Sequence, residues 1–244
     1  MSRPLSTAAL AALLATAASV ASLAGCSAKP GAAADSSSAA GTATGGAAST
    51  ANAAAPKAGT PDPRVTRADQ SRILGDSTAK LWIVVVSDFQ CPYCGQWERE
   101  TSAQVIDEFV KTGQVRLAFV NFPLQQHPNA LPAAEAAMCA GAQGKFWEMH
   151  DRIFQKQAEW SALPNATAFF ETEAGALALD AGAYTTCISE HAMRGMISAD
   201  VDRARSAGAN STPTFFIGNQ VLAGAEKIEV FRKAIAQAQA ALPK

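Results

Sequence analysis

The junction between an apolar run and a pair of cysteines constrains this chain more than any other feature. Residues 81–86, Leu-Trp-Ile-Val-Val-Val, are continuous, apolar and rich in β-branched side chains, the pattern of a strand buried on both faces of a parallel or mixed sheet. The run leads through Ser87-Asp88-Phe89-Gln90 straight into Cys91-Pro92-Tyr93-Cys94. Beyond it, Trp97, Thr101, Val105, Ile106, Phe109 and Val110 recur at helical spacing until Gly113, a C-terminal stop. Residues 115–120 then read as a second strand, so the unit is strand, helix, strand: a parallel crossover whose CxxC sits where the first strand turns into the helix.

Two cysteines three apart at a helix start lie one turn apart on one face, close enough for a short disulfide ring. The spacing predicts Cys91 exposed at the helix N-terminus and Cys94 tucked behind it. Free N–H groups and the positive end of the helix dipole stabilise a thiolate there, which places the Cys91 thiol at roughly 3.5 to 7.5 rather than about 8.5. Pro92 suits the first turn, where its missing N–H costs nothing. A stabilised thiolate leaves easily, so a Cys91–Cys94 disulfide is oxidising toward a partner's thiols. Alone, a CxxC is also half a zinc site or a buried structural bridge. Zinc needs four ligands, and the chain has no second CxxC; His127, His150 and His191 are not spaced as a ligand pair.

The rest of the chain supplies the setting. Arg3 is followed by an uncharged, Ala-rich stretch ending in Leu23-Ala24-Gly25-Cys26, the layout of a secretory leader. Its ending resembles the lipobox of bacterial lipoproteins, which implies a signal peptide over residues 1–25 and a lipid on Cys26. An ordinary cleaved leader and an uncleaved anchor are the other readings, and all three export the remainder. From Ser27 to Pro63 there is no Val, Ile, Leu, Met or aromatic residue, so residues 26–63 read as a disordered tether with a reach of roughly 35 Å. The folded domain is expected over residues 64–244. Within it, residues 132–208 are Ala-rich and helical in period, with breaks near Gly141 to Gly144, Ser161 to Pro164 and Gly182, which suggests a helical insertion of four or five helices. Residues 214–217 and 220–222 flank Gly218-Asn219 as a β-hairpin, and residues 228–242 form a closing amphipathic helix. The 20 Lys plus Arg against 21 Asp plus Glu leave a net charge of -1, which gives no basis for a nucleic-acid partner.

The order strand, Phe89-Gln90-Cys91-Pro92-Tyr93-Cys94, helix, strand, helical insertion, Thr212-Pro213, hairpin and final helix resembles the thioredoxin fold of the DsbA-like family, most closely the branch with the BdbD-type oxidases. Phe122-Pro123-Leu124, His127-Pro128 and Gly144-Lys145-Phe146-Trp147 carry the likeness further. The resemblance implies an α/β thioredoxin fold, a mixed sheet with flanking helices, carrying the helical insertion. It implies an extracytoplasmic thiol:disulfide oxidoreductase that oxidises exported proteins through a mixed disulfide on Cys91. It also implies reoxidation by a membrane quinone-linked thiol oxidase of the DsbB or VKOR type, and no soluble cofactor. A membrane-fed reductase or isomerase and a non-catalytic peptide-binding lipoprotein are the rival readings.

The resemblance extends to particular residues. It implies a cis Thr212–Pro213 peptide beside the disulfide, receiving the substrate backbone; Ser211 departs from the glycine expected before it. Glu98 shares a helix face with Cys91 and Cys94. The family has an acid there that exchanges protons with the inner thiol, and an ordinary solvated glutamate is the alternative. Asp88 reads as a turn or capping residue, and His127 as shaping the rim. Of the five cysteines, Cys139 and Cys187 remain, both in the insertion. In an oxidising compartment such a pair usually bridges, and some family members carry a bridge there; two separate buried thiols are the alternative.

Overall fold

The computed structural model describes residues 61–243. The leader, Cys26 and nearly all of the tether lie outside the described residues. The sheet has five strands: β1 (Ile73–Leu74), β2 (Leu81–Ser87), β3 (Val115–Asn121), β4 (Thr214–Ile217) and β5 (Gln220–Ala223), in the order β1-β3-β2-β4-β5. β2 and β3 are parallel, Leu81 opposite Val115 through Ser87 opposite Asn121, whereas β1, β4 and β5 pair antiparallel. The sheet is therefore mixed, with the crossover strands at its centre. β2 is central and mostly buried, which is why its sequence is an unbroken apolar run instead of an alternation. At the hairpin tip Gly218 has φ +58, where a side chain is disfavoured and its Cβ would stand 3.1 Å from the Ala238 side chain.

The helix after the CxxC is continuous over residues 92–110 but changes its winding: α2 (Pro92–Trp97), a wider π-type segment Glu98–Ser102, α3 (Ala103–Val105), and a second such segment Ile106–Val110. Trp97 packs against Phe215 of β4 and Phe231 of the closing helix, with ring centroids at 4.8 and 6.0 Å. Fully burying an aromatic of this size contributes about 1.5–3 kcal/mol, so this cluster fixes the helix that follows the CxxC on the sheet.

α1 (Pro63–Ser71) precedes β1; sequence periodicity indicated neither, since one is a polar helix and the other only two residues long. The insertion holds α4 (Ala130–Gly141), α5 (Phe146–Gln155), α6 (Gln157–Trp160), α7 (Thr167–Ala176), α8 (Ala181–Ser189) and α9 (Arg194–Ser206). These are six helices, not four or five. Gly182 lies inside α8, and the chain breaks before it, where Ala178 takes φ 53, and after it, where His191 takes φ 51. Ala-rich helices hide such boundaries because alanine favours helix everywhere and marks no end. The closing helix α10 is Ile228–Ala240. Asp200, fully buried on α9, binds Arg72 and the backbone and side-chain N–H groups of Asn121, tying the insertion to the end of β3.

Candidate active site

Cys91 caps α2 with extended backbone (φ -66, ψ 124), and Pro92 fills the first helical position. The fold places the Cys91 Sγ 3.5 Å from the carbonyl oxygen of Thr212, the residue before the cis Thr212–Pro213 peptide. That loop lies over the sulfur, so Cys91 is only 3% exposed and not the open residue that its place at a helix start implied. Tyr93, between the cysteines, is 62% exposed and carries the accessible surface instead. Cys94 is 1% exposed, and its Sγ accepts the peptide N–H of Asp88 at 3.5 Å. Both cysteines are thiols here.

Their acidities diverge. The hydrogen bond from the Cys94 thiol, with smaller help from Thr212 and the peptide N–H groups of Cys94 and Tyr93, outweighs burial and holds the Cys91 thiol down at about 6. Thr212 has a buried hydroxyl without a hydrogen-bond partner, available to a thiolate. Burial, next the hydrogen bond that the Cys94 thiol gives to Cys91, and then the charge on Cys91 push the Cys94 thiol well above the usual range. One sulfur ionises at neutral pH while the other keeps its proton. This is the division that thiol exchange needs of an attacking or leaving thiolate and a resolving thiol.

Glu98 is not a solvated surface glutamate. Its side chain is 11% exposed and Oε1 lies 3.3 Å from Nε2 of buried His150, within ion-pair distance though off hydrogen-bond alignment. His150 stands among Phe89, Phe119, Phe146, Trp147 and Phe154, with Nδ1 2.9 Å from Asp151. Burial alone would lower the imidazole, but the charge of Glu98 and the bond to Asp151 prevail and raise it to about 9. Among the described residues no hydrogen bond joins Glu98 to either sulfur; it reaches the site through the helix that carries both cysteines.

Asp88 does more than turn the chain. Its carboxylate is sealed from solvent and accepts the N–H of Gln90 at 2.7 Å, that of Leu124 at 2.9 Å and His127 Nδ1 at 2.7 Å. Sequence reasoning missed Gln157, whose Nε2 donates to the carbonyls of Phe89 and Cys91 at 2.8 and 2.9 Å. Nothing in its local sequence marks it, since it reaches Cys91 across 66 positions from a four-residue helix. Gly95 leaves the space it occupies; a Cβ there would stand 2.2 Å from Gln157 Oε1. In the insertion, Cys139 of α4 and Cys187 of α8 form a buried disulfide with Cα atoms 5.9 Å apart. Among the described residues no group of three or more His, Cys, Asp or Glu side chains is arranged to hold a metal.

A family model described as Thioredoxin matches residues 67–237. The chain is 34% identical over 171 residues to a Na(+)/H(+) antiporter NhaA 3 of Salinispora tropica, covering 70% of this chain and 25% of that protein. It thus spans about a quarter of the length of the curated relatives matched first. A probable disulfide bond formation protein D of Bacillus anthracis is 34% identical over 85 residues, 34% of this chain and 39% of that one. Among solved structures, oxidised BdbD from Bacillus subtilis superposes with a TM-score of 0.62 at 19% identity, covering 68% of this chain and 91% of that one.

Proposed function

The chain belongs to the thioredoxin family, and from that premise we propose that it is an extracytoplasmic thiol:disulfide oxidoreductase that oxidises cysteine pairs in exported proteins. The observation that carries this reading is the contrast between a Cys91 thiol at about 6 and a Cys94 thiol held well above the ordinary range. In the oxidised protein a substrate thiolate attacks Cys91 Sγ; the Cys91–Cys94 bond breaks and Cys94 leaves, taking up a proton. The substrate's second thiolate then attacks its own sulfur in the mixed disulfide, and Cys91 leaves as a thiolate. Two electrons pass from the substrate, now a disulfide, to the Cys91–Cys94 dithiol. A membrane quinone-linked thiol oxidase of the DsbB or VKOR type takes them on. The covering loop at Thr212 and Pro213 aligns the substrate backbone, while exposed Tyr93 offers an apolar face.

In this reading Cys26 carries the lipid anchor and residues 26–63 form the tether; no helix among the described residues is long and apolar enough to cross a membrane. Cys139–Cys187 is structural, and Glu98 serves proton exchange at Cys94. Equilibration with glutathione tests the direction: a potential near -120 mV supports the oxidase, and one near -270 mV assigns the protein to reduction. Failure to exchange with glutathione at all favours a binding lipoprotein instead.

A further inference from the structure

Behind the cysteines lies a carboxylate–imidazole pair that the exchange steps above do not use. Asp88 and His127 are 39 residues apart, one leaving β2 and the other in the loop after β3, yet Oδ2 and Nδ1 meet at 2.7 Å. The carboxylate is fully buried, whereas His127 is 19% exposed and opens the pair toward solvent. Asp88 also touches the redox centre directly, since its own N–H donates to Cys94 Sγ. Gln90 and Leu124 contribute neutral peptide N–H groups to the carboxylate, and Cys94 of α2 meets the Asp88 N–H with its sulfur. Among the described residues no lysine, arginine or second carboxylate bonds either partner.

A sealed carboxylate on a residue whose own N–H meets a sulfur opposes negative charge at that site unless a cation neutralises it, and in a water-poor setting the opposition is strong. We propose that His127 is a positioning residue that, through Asp88, neutralises the charge behind the CxxC and so sets the oxidising strength of the Cys91–Cys94 pair. A proton on His127 leaves the pair neutral and the thiolate stabilised, so the disulfide is readily reduced. Without it, the Asp88 charge stands uncompensated, thiolate formation is resisted and the disulfide becomes harder to reduce. This inference rests on the thiol-exchange reading above and adds the group that tunes it.

His127→Gln keeps a donor for Asp88 but removes the possible charge; His127→Lys keeps the charge; Asp88→Asn removes the carboxylate. For each, the glutathione equilibrium and the thiolate absorbance titration of Cys91 are measured alongside the melting temperature. In His127→Gln, the constant for oxidising glutathione falls about tenfold, equivalent to about 30 mV, and Cys91 titrates at higher pH. His127→Lys restores both values, and Asp88→Asn moves both in the opposite direction. Melting temperatures that shift while potential and titration stay at the wild-type values overturn the inference. So does a His127→Lys protein as weakly oxidising as His127→Gln. A wild-type protein that does not exchange with glutathione refutes the underlying reading instead, and that outcome is visible before any variant is compared.

Discussion

Gln157 holds Cys91 by its backbone: the side-chain amide donates to the Cys91 carbonyl at 2.9 Å while the same nitrogen reaches Phe89. The insertion is therefore clamped directly onto the turn that presents the reactive sulfur. Gln157→Ala leaves two buried carbonyls without this partner, a loss of about 1–3 kcal/mol. The expected result is a lower melting temperature together with slower oxidation of a model dithiol peptide, read by stopped-flow fluorescence. Gly95→Ala should reproduce both, because the added methyl displaces the same amide.

The Cys139–Cys187 bridge closes a loop with a sequence separation of 48. In the chain-entropy model this stabilises the fold by about 4 kcal/mol. A Cys139→Ser, Cys187→Ser double variant should unfold at distinctly lower denaturant concentration yet retain peptide oxidation at temperatures where it is folded. Cys91→Ser should show the reverse. Loss of turnover in a folded double variant would contradict this separation of roles.

The depressed Cys91 thiol makes the reduced protein's stability depend on pH. Its folded value of about 6 lies below its unfolded value of 9.0, so the stabilisation is complete above pH 9 and is lost as pH falls through about 6. Calorimetry of the reduced protein should show the melting temperature declining across this window relative to Cys91→Ser. Alkylation of Cys91 by iodoacetamide should follow the same midpoint near pH 6.

The Glu98–His150 pair runs with the opposite sign. His150 is raised from 6.5 to about 9, so its contribution is complete below about 6.5 and is lost as pH rises through about 9. Removing one partner of a buried pair costs about 3–5 kcal/mol. Glu98→Gln should therefore destabilise strongly at pH 7, and the gap from wild type should narrow above pH 9 in urea titrations. If Glu98 also serves proton exchange at Cys94, the variant slows resolution of the mixed disulfide while the first attack on Cys91 is unchanged.

β2 and its parallel crossover to β3 were legible in the linear chain because β2 is mostly buried, and burial on both faces leaves an unbroken apolar, β-branched run; the two-residue β1 and the order of the strands were not. The hairpin was equally plain, since Gly218 meets a backbone requirement that few residues satisfy. The CxxC was legible for a related reason: its chemistry depends on spacing along one helix. The Ala-rich insertion was harder to divide, because alanine gives no cue to where Ala178 and His191 end one helix and begin the next. Glu98 shows the same limit at the site, for its neighbour His150 is 52 positions away in sequence.

What the sequence by itself determined is the local chemistry: a strand feeding a helix that begins with two cysteines, and the turns that frame them. These follow from interactions within a few residues. Only the tertiary structure decided that Cys91 lies beneath the Thr212 loop, that Gln157 clamps it, and that Asp88 and Glu98 each take a histidine partner. Those choices join residues tens of positions apart, and long-range electrostatics and packing, unlike helix spacing, leave no period in the chain to read.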